Sequence, residues 1–451
     1  MIHFWLLALR NLQRNLKRNV ATGSAIAFGF AGILMLGAYV HRVQRYLETH
    51  TIFAAHTGHI AVFARGGFEN FNYKPKEHSF SKCQQEVIEG ILSADKNIEF
   101  FERQLWGSGL IGNGCLSLPF FARGLEPKVD ERLTTQAQVR EWLPDYKPFL
   151  KGRGLWHYPA DLAPLALSRR LARGLGKVAV HDELSPGSVA IVDCAANDAR
   201  ASFARDANVQ LLGERWEVAL GAADGEVVAH YTTGFDESDN SALMAPLSVL
   251  QNLYETDAVG RYSLWLKDAS TRQVTLSRLQ ESFSQAGIEA DFLPWDDFQL
   301  SPYYAGTVQF LFAMASFIAV VMTVVVVFSV LNSTTMTILE RSEEIGTYRA
   351  LGFRRRIVRH LFVQESVWLS MISLAVGAVI GVVAIAFVNR AGIIYHPPGI
   401  SDGMRLRLVL HPLYAISMAI SLLLLTMFAT WLATFGRLRE EPAKLLGGIT
   451  R

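Results

Sequence analysis

Four long stretches of the chain carry no Asp, Glu, Lys or Arg. Val20–Val40 runs for 21 residues, Ala305–Leu339 for 35, Ser366–Val388 for 23 and Pro412–Gly436 for 25. At about 1.5 Å of rise per residue, the shortest makes about 32 Å of helix, enough for a hydrocarbon core of about 30 Å. Each stretch therefore predicts a membrane-spanning helix. The first is too long for the apolar part of a signal peptide, and no small-x-small cleavage site follows before His41. The second, at about 52 Å, exceeds the bilayer core by roughly 20 Å. Its surplus falls either at the polar end, with Asn332, Ser333, Thr334, Thr335 and Thr337, or at the other end, carrying Phe310 and Phe312 into a soluble domain. The third contains Gly377-x-x-x-Gly381, which permits close helix approach and is expected to serve packing within the chain.

Ahead of the first stretch, Ile2, Trp5, Leu9, Leu12 and Leu16 recur at three- and four-residue spacing, while Arg10, Arg14, Lys17 and Arg18 fall largely on the opposite face. Residues 1–19 thus predict an amphipathic helix along the membrane surface, with its cations near anionic headgroups. Between the first and second stretches the pattern changes. Strings at His59–Phe63, Ser188–Val192, Val209–Leu212, Glu226–Tyr231 and Tyr262–Leu266 predict strands, and Gln84–Leu92, Leu165–Gly174 and Val274–Ala286 predict helices. The block is long enough for two subdomains, with candidate boundaries at the Pro/Gly-containing stretches near 145–160 and 232–246.

The expected fold class is an α-helical membrane protein with four transmembrane helices and a large α+β extracytoplasmic domain inserted between the first two. In order, these are a surface helix (1–19), span one (20–40), the α+β domain (41–304), a long span two (305–339) and a loop (340–360). Span three (361–389), a short loop (390–411), span four (412–436) and a tail (437–451) complete the chain.

Charge orients this arrangement. The chain is 50% hydrophobic and 19% charged, with a formal net charge of +2. Residues 41–304 are net −8 and the remainder net +10. An acidic soluble block argues against nucleic-acid binding. Cations cluster in three segments: Arg10 to Arg18 ahead of span one, Arg341 to Arg359 after span two, and Arg437 to Arg451 in the tail. Four spans place all three on one side, and the positive-inside rule makes that side the cytoplasm.

Candidate catalytic chemistry is sparse. Cys83, Cys115 and Cys194 form no C-x-x-C pair and leave their pairing open. Gly174-Leu-Gly-Lys177 lacks the rest of a phosphate loop, with Leu171 where a Gly and Val178 where a Ser or Thr is needed. His50, His56 and His59 lie close together without a further ligand at metal spacing. Asp236, Ser238 and Asn240 begin a calcium-loop pattern that Ser241 and Leu247 break. The chain is expected to bind no metal or cofactor of its own and to catalyse nothing by itself.

The loop between spans two and three is the most distinctive string: Glu340-Arg-Ser-Glu-Glu-Ile-Gly-Thr-Tyr-Arg-Ala-Leu-Gly-Phe353, then Arg354-Arg-Arg356 and Gln364-Glu365-Ser366. It predicts a short charged helix punctuated by Gly346 and Gly352. Ile345 and Leu351 would offer an apolar knob, and Glu343, Glu344 and Arg349 would offer charges to a partner.

This string resembles the loop signature of the ABC permease superfamily that contains MacB, FtsX and the lipoprotein-release subunits LolC and LolE. The order of one span, a large domain and three spans, the basic N-terminal helix and the tail Glu441-Pro-Ala-Lys-Leu-Leu446 extend the resemblance over most of the chain. Thr57-Gly-His-Ile-Ala-Val62 and Gly234-Phe-Asp-Glu-Ser-Asp-Asn240 look like the lipoprotein-release branch. The resemblance implies mechanotransmission in a bacterial inner membrane. A dimer of separate ATPase subunits, which hold the ATP and Mg, would dock on the loop through Glu343, Glu344, Ile345, Gly346, Arg349, Ala350, Leu351 and Gly352. A second permease protomer, identical or homologous, would complete the assembly. A periplasmic carrier or adaptor and membrane lipids are further expected partners; nucleic acid is not. The cargo implied is a lipoprotein or other hydrophobic substrate, with an export permease and a regulator of a cell-wall hydrolase as alternatives. The expected substrate groove is lined by Met35, Leu36 and Tyr39 of span one and Phe310, Met314 and Phe317 of span two.

Overall fold

The computed structural model describes residues 16–177, 180, 194, 206–214, 216, 220–395 and 403–437. Two compact units divide the chain: a helical unit (residues up to Gln44, Thr307–Ile393, and Leu406 onward) and an α/β unit (Arg45–Gly306 with Ile394–Arg405). The first helix, α1, runs Leu16–Thr49 and is followed by a π-helical turn at His50–Ala54.

In the α/β unit the strands are β1 (Ile60–Ala64), β2 (Ile98–Gly112), β3 (Ser117–Leu125), β4 (Lys151–Gly152), β5 (Pro164–Ser168), β6 (Asn208–Glu214), β7 (Leu220–Tyr231), β8 (Ala242–Pro246), β9 (Arg261–Leu266) and β10 (Ala290–Pro294). Its helices include α2 (Lys82–Ala94), α3 (Pro127–Thr134), α4 (Arg169–Gly174), α5 (Leu247–Tyr254) and α6 (Arg272–Gln285). Among the described residues, the ten strands form one mixed sheet in the order β10-β1-β9-β2-β3-β8-β5-β7-β4, with β6 pairing β2 and β7. The long strand β2 joins its halves. Residues Ile98–Gln104 pair with β9, and Leu105–Gly112 pair with β3.

Local chemistry explains several of these elements. A capping box between Ser81 and Gln84 starts α2, satisfying N–H groups the first turn would otherwise leave open. Ile88 and Leu92 of α2, with Leu276, Leu279 and Phe283 of α6, then join the core that covers the sheet. Gly58 has φ +72°, and a Cβ there would stand 2.7 Å from the Leu264 backbone nitrogen, so the entry to β1 accepts only glycine. Cys115 and Cys194 form a disulfide, and Cys83 is an exposed thiol.

Several expectations change here. Leu165–Gly174 is not one helix: β5 takes Pro164–Ser168, and α4 begins at Arg169. All five residues of β5 are buried, a run whose period cannot separate helix from strand. The Pro/Gly-containing stretches are not bare linkers: β4 lies within 145–160 and β8 within 232–246, and both strands belong to the one sheet. The expected strand at Ser188–Val192 lies outside the described residues. Within the short loop at 390–411, Ile394–Tyr395 pairs with Met404–Arg405, and both segments belong to the α/β unit.

The helical unit contains α7 (Pro302–Glu340), α8 (Ser342–Ala350), α9 (Arg355–Ala391) and α10 (Pro412–Arg437). Among the described residues, four helices (α1, α7, α9 and α10) are long and apolar enough to cross a membrane. The core gathers Ile26, Phe30, Ile33 and Leu34 of α1 with Val326 and Val330 of α7, Leu374 of α9 and Leu422 and Ala429 of α10. A Cβ on Gly377 would stand 2.5 Å from the Ala27 carbonyl oxygen, so Gly377 and Gly381 serve the crossing of α9 over α1. Ser370 donates to Thr426 at 2.9 Å, and Thr430 donates to Ser366 at 2.8 Å, tying α9 to α10. Phe310 and Phe312 belong to the helical unit, not to a soluble domain. Arg10 and Arg14 lie outside the described residues, as does the tail string from Glu441 to Leu446. Lys17 and Arg18 lie within α1.

Candidate functional site

The loop between α7 and α9 is built from one corner residue, one short helix and one glycine turn. Helix α7 ends at Glu340 and α8 begins at Ser342, leaving Arg341 as the corner. Glu343 and Glu344 occupy the first turn of α8 and Arg349 the last, the placement that complements a helix dipole. The helix closes where Leu351, Gly352 and Phe353 donate backbone bonds to Thr347, Arg349 and Tyr348, with Gly352 at φ +90°. That left-handed turn is the ordinary role of glycine after a helix.

The apolar residues of the loop divide into two roles. Ile345 is buried, packed with Ile338 of α7 and Val358 and Phe362 of α9. It is therefore not an outward knob: it fastens α8 to the bundle. Gly346 is buried beside it. Leu351 is 72% exposed, and Ala350, Gly352 and Glu343 are exposed with it. Sequence spacing offered both Ile345 and Leu351 to a partner, because a surface helix and a surface-docked helix have the same period.

Ion pairs frame this loop. Arg18 of α1 pairs with Glu340. Arg341 reaches both oxygens of Glu365 in α9, at 3.0 and 3.2 Å, and lies 3.4 Å from Glu344. Arg18, read from sequence as a headgroup cation, is thus joined to α7, and Glu365 to the corner of the loop.

At the other end of the bundle lies a cavity of about 160 Å³. Leu36, Val40, Phe312, Ala315, Tyr414 and Met418 line it, with His41 and Gln44 at one end. Of the six expected groove residues only Leu36 lines this cavity. Met35 and Tyr39 face the other way, toward Ala38, Ile385 and Leu408. Phe310, Met314 and Phe317 are exposed on α7 away from this cavity, while Ala315 and the partly exposed ring of Phe312 line it. Helices apolar on every side hide which face packs, so the periodicity could not choose between these sets.

The α/β unit contains a buried polar cluster that sequence patterns do not signal. His56 Nδ1 lies 3.0 Å from Glu102 and its Nε2 3.2 Å from Asp130, with all three side chains buried. The His56 carbonyl accepts from Gln104, Arg261 and Ser263 at 3.0, 3.1 and 2.8 Å, and Arg123 donates to the Ala55 carbonyl at 2.6 Å. Burial alone would lower the His56 pKa, but Glu102 and Asp130 hold it above the usual value. Burial and then the nearby Arg123 push the Arg261 guanidinium down to about 9. His59 makes a different contact, lying 3.1 Å from the Leu266 N–H, which donates to it. The histidines close in sequence are spread over separate contacts, and only charge neighbours on β2 and α3 reveal the cluster.

Two solved structures are similar to parts of the chain. The periplasmic region of MacB from Actinobacillus actinomycetemcomitans is 14% identical with a TM-score of 0.33, covering 52% of this chain and 88% of that one. The extracellular domain of the noncanonic ABC-type transporter YknZ from Gram-positive bacteria is 13% identical with a TM-score of 0.28, covering 48% and 89%. Neither likeness is close enough to carry an argument. No curated protein matches the chain. Residues 316–442, from within α7 through the α8 loop, α9 and α10, match the FtsX-like permease C-terminal family, so the similarity to that family falls on the stretch that contains the candidate docking loop.

Proposed function

We propose that this chain is the permease subunit of an ATP-binding-cassette system and carries the motion of a separate ATPase to its α/β unit. The match of residues 316–442 to the FtsX-like permease family carries this reading, because it spans the whole α8 loop. In this reading, Leu351 and its exposed neighbours Glu343, Ala350 and Gly352 dock the ATPase. Glu344 and Arg349 add charge at either end of α8. ATP and Mg stay on the partner, and this chain hydrolyses nothing. A second permease protomer, identical or homologous, stands beside it.

The cargo is a lipoprotein or other hydrophobic substrate, released or relayed from the outer leaflet of the inner membrane, with a periplasmic carrier or adaptor as the next partner. The apolar lining of the cavity between α1, α7 and α10 supports this finer reading, since apolar side chains and acyl chains both gain by leaving water. Membrane-spanning segments also avoid charge here, which suits a hydrophobic cargo better than an ion or sugar.

One experiment tests both levels. The full chain carries a photoreactive residue at Phe312, with or without Leu351→Asp, and is expressed with its native membrane complement. The parent should retain an ATPase through purification and capture a lipid-anchored protein on illumination. Leu351→Asp should lose the ATPase and change the capture. Retention of the ATPase by Leu351→Asp sinks the docking face, and no lipid-anchored protein in either form sinks the cargo reading.

A further inference from the structure

The α8 loop turns a corner at a single residue, and that residue is held more firmly than a surface turn requires. Arg341 is the one residue between α7 and α8. Backbone bonds run through it: its N–H donates to Thr337 at 3.1 Å, and its carbonyl accepts from Ile345 at 2.9 Å. Its guanidinium crosses to α9 and meets both oxygens of Glu365, and the two side chains are only 8% and 14% exposed. The same guanidinium lies beside Glu344 in the first turn of α8. The preceding residue, Glu340, pairs with Arg18 of α1.

Two different fastenings therefore hold α8. The apolar one, Ile345 with Ile338, Val358 and Phe362, packs the short helix against the bundle. The polar one adds direction. A largely buried ion pair is weak evidence for stability, because desolvation offsets much of its attraction, and its best-attested use is to select one arrangement over others. One guanidinium nitrogen, Nη1, meets both Glu365 oxygens in charge-assisted hydrogen bonds, which hold the corner at a fixed point along α9.

We infer that Arg341, acting through Glu365, is a positioning residue that makes α8, α7 and α9 move as one piece, so that docking and transmission reside in different residues of the same loop. The inference rests on the proposed docking of an ATPase at α8. Leu351 touches the partner; Arg341 does not. Loss of Arg341 leaves the docking face in place but lets α8 pivot on its Ile345 contact, so partner motion is absorbed at the corner instead of reaching the spans.

The test uses the full chain in proteoliposomes with the ATPase that copurifies with it, comparing Arg341→Gln, Glu365→Gln and the exchanged pair Arg341→Glu/Glu365→Arg. Both single variants should retain the ATPase to within about twofold, while chain-stimulated ATP turnover falls about tenfold, the range seen when a coupling residue outside either site is changed. The exchanged pair should recover most of that turnover, and this recovery separates positioning from a general loss of fold. Loss of ATPase retention in Arg341→Gln would assign Arg341 to docking and overturn the inference. So would unchanged turnover, or an exchanged pair that folds and recovers nothing. A parent chain that retains no ATPase removes the docking reading itself, and the unsubstituted arm shows that outcome separately.

Discussion

At the scale of single residues, the cluster around His56 has a consequence that can be signed. Glu102 and Asp130 reach opposite nitrogens of a buried ring, and Arg123 and Arg261 stand nearby on β3 and β9. Because the folded pKa of His56 lies above the usual 6.5, its contribution to stability is complete below that pH and is lost as pH rises through the folded value. His59 has the opposite sign. Burial, then Arg272, lowers its pKa to about 4, so its contribution is present above 6.5 and is lost as pH falls toward 4. Thermal unfolding of the full chain in detergent, followed by tryptophan fluorescence, should therefore weaken on both sides of neutrality. Exchanging Glu102→Gln together with Asp130→Asn should abolish the alkaline loss and deepen the acid one, since the buried imidazole is then neutral. An unchanged alkaline slope would show that His56 does not titrate there.

At the scale of elements, Gly377 and Gly381 look alike in sequence and differ in the fold. A Cβ at position 377 meets only the backbone of Ala27, at 2.5, 3.0 and 3.1 Å, and backbone cannot step aside cheaply. At position 381 the nearest atom is the Leu34 side-chain Cδ1 at 3.3 Å, which can. Gly377→Ala should cost about 1–3 kcal/mol through forced separation of α1 and α9, while Gly381→Ala should cost well under that. Melting temperatures of the two variants in one detergent decide the matter, and equal values would mean the crossing is looser than its geometry. The same scale shows why the α8 loop was only partly legible. Its helix, its end at Gly352 and its charges follow from local residue chemistry. Which of Ile345 and Leu351 faces inward depends on where Ile338, Val358 and Phe362 arrive, and those lie on other helices.

At the scale of the whole molecule, most of the α/β unit (Arg45–Gly306) precedes the bulk of α7, with Ile394–Arg405 added from between α9 and α10, and the cation-rich segments flank the apolar helices on one side of the count. On the positive-inside rule, Asn113 and Gly225 are expected outside and Phe353 and Gly447 inside. Alkaline phosphatase fused after the first pair should be active, and after the second pair inactive. Activity at Phe353 with none at Gly225 would invert the arrangement and remove any ATPase from the α8 loop.

The number and order of the apolar helices among the described residues were legible in the sequence, because a stretch of twenty or more residues without charge has few other stable fates. Their lengths were not, since α1 and α9 run past the charge-free stretches to 34 and 37 residues. Also legible were β1, β6, the second half of β7, β9, α2 and α6, whose β-rich composition or helical period is written within a few residues. Other features needed the tertiary structure. Strand β2 pairs with three others, and its 15 residues mix charge, glycine and aromatic side chains without a clean period. The pairing of Cys115 with Cys194, the meeting of Arg341 with Glu365, and the clamp of Glu102 and Asp130 on His56 join positions 79, 24, 46 and 74 residues apart. The lining of the apolar cavity was decided the same way, by the rotation of helices whose sides are all apolar. Local pattern determines what an element is; which of its faces is used depends on neighbours that arrive from elsewhere in the chain, and only the folded structure brings them together.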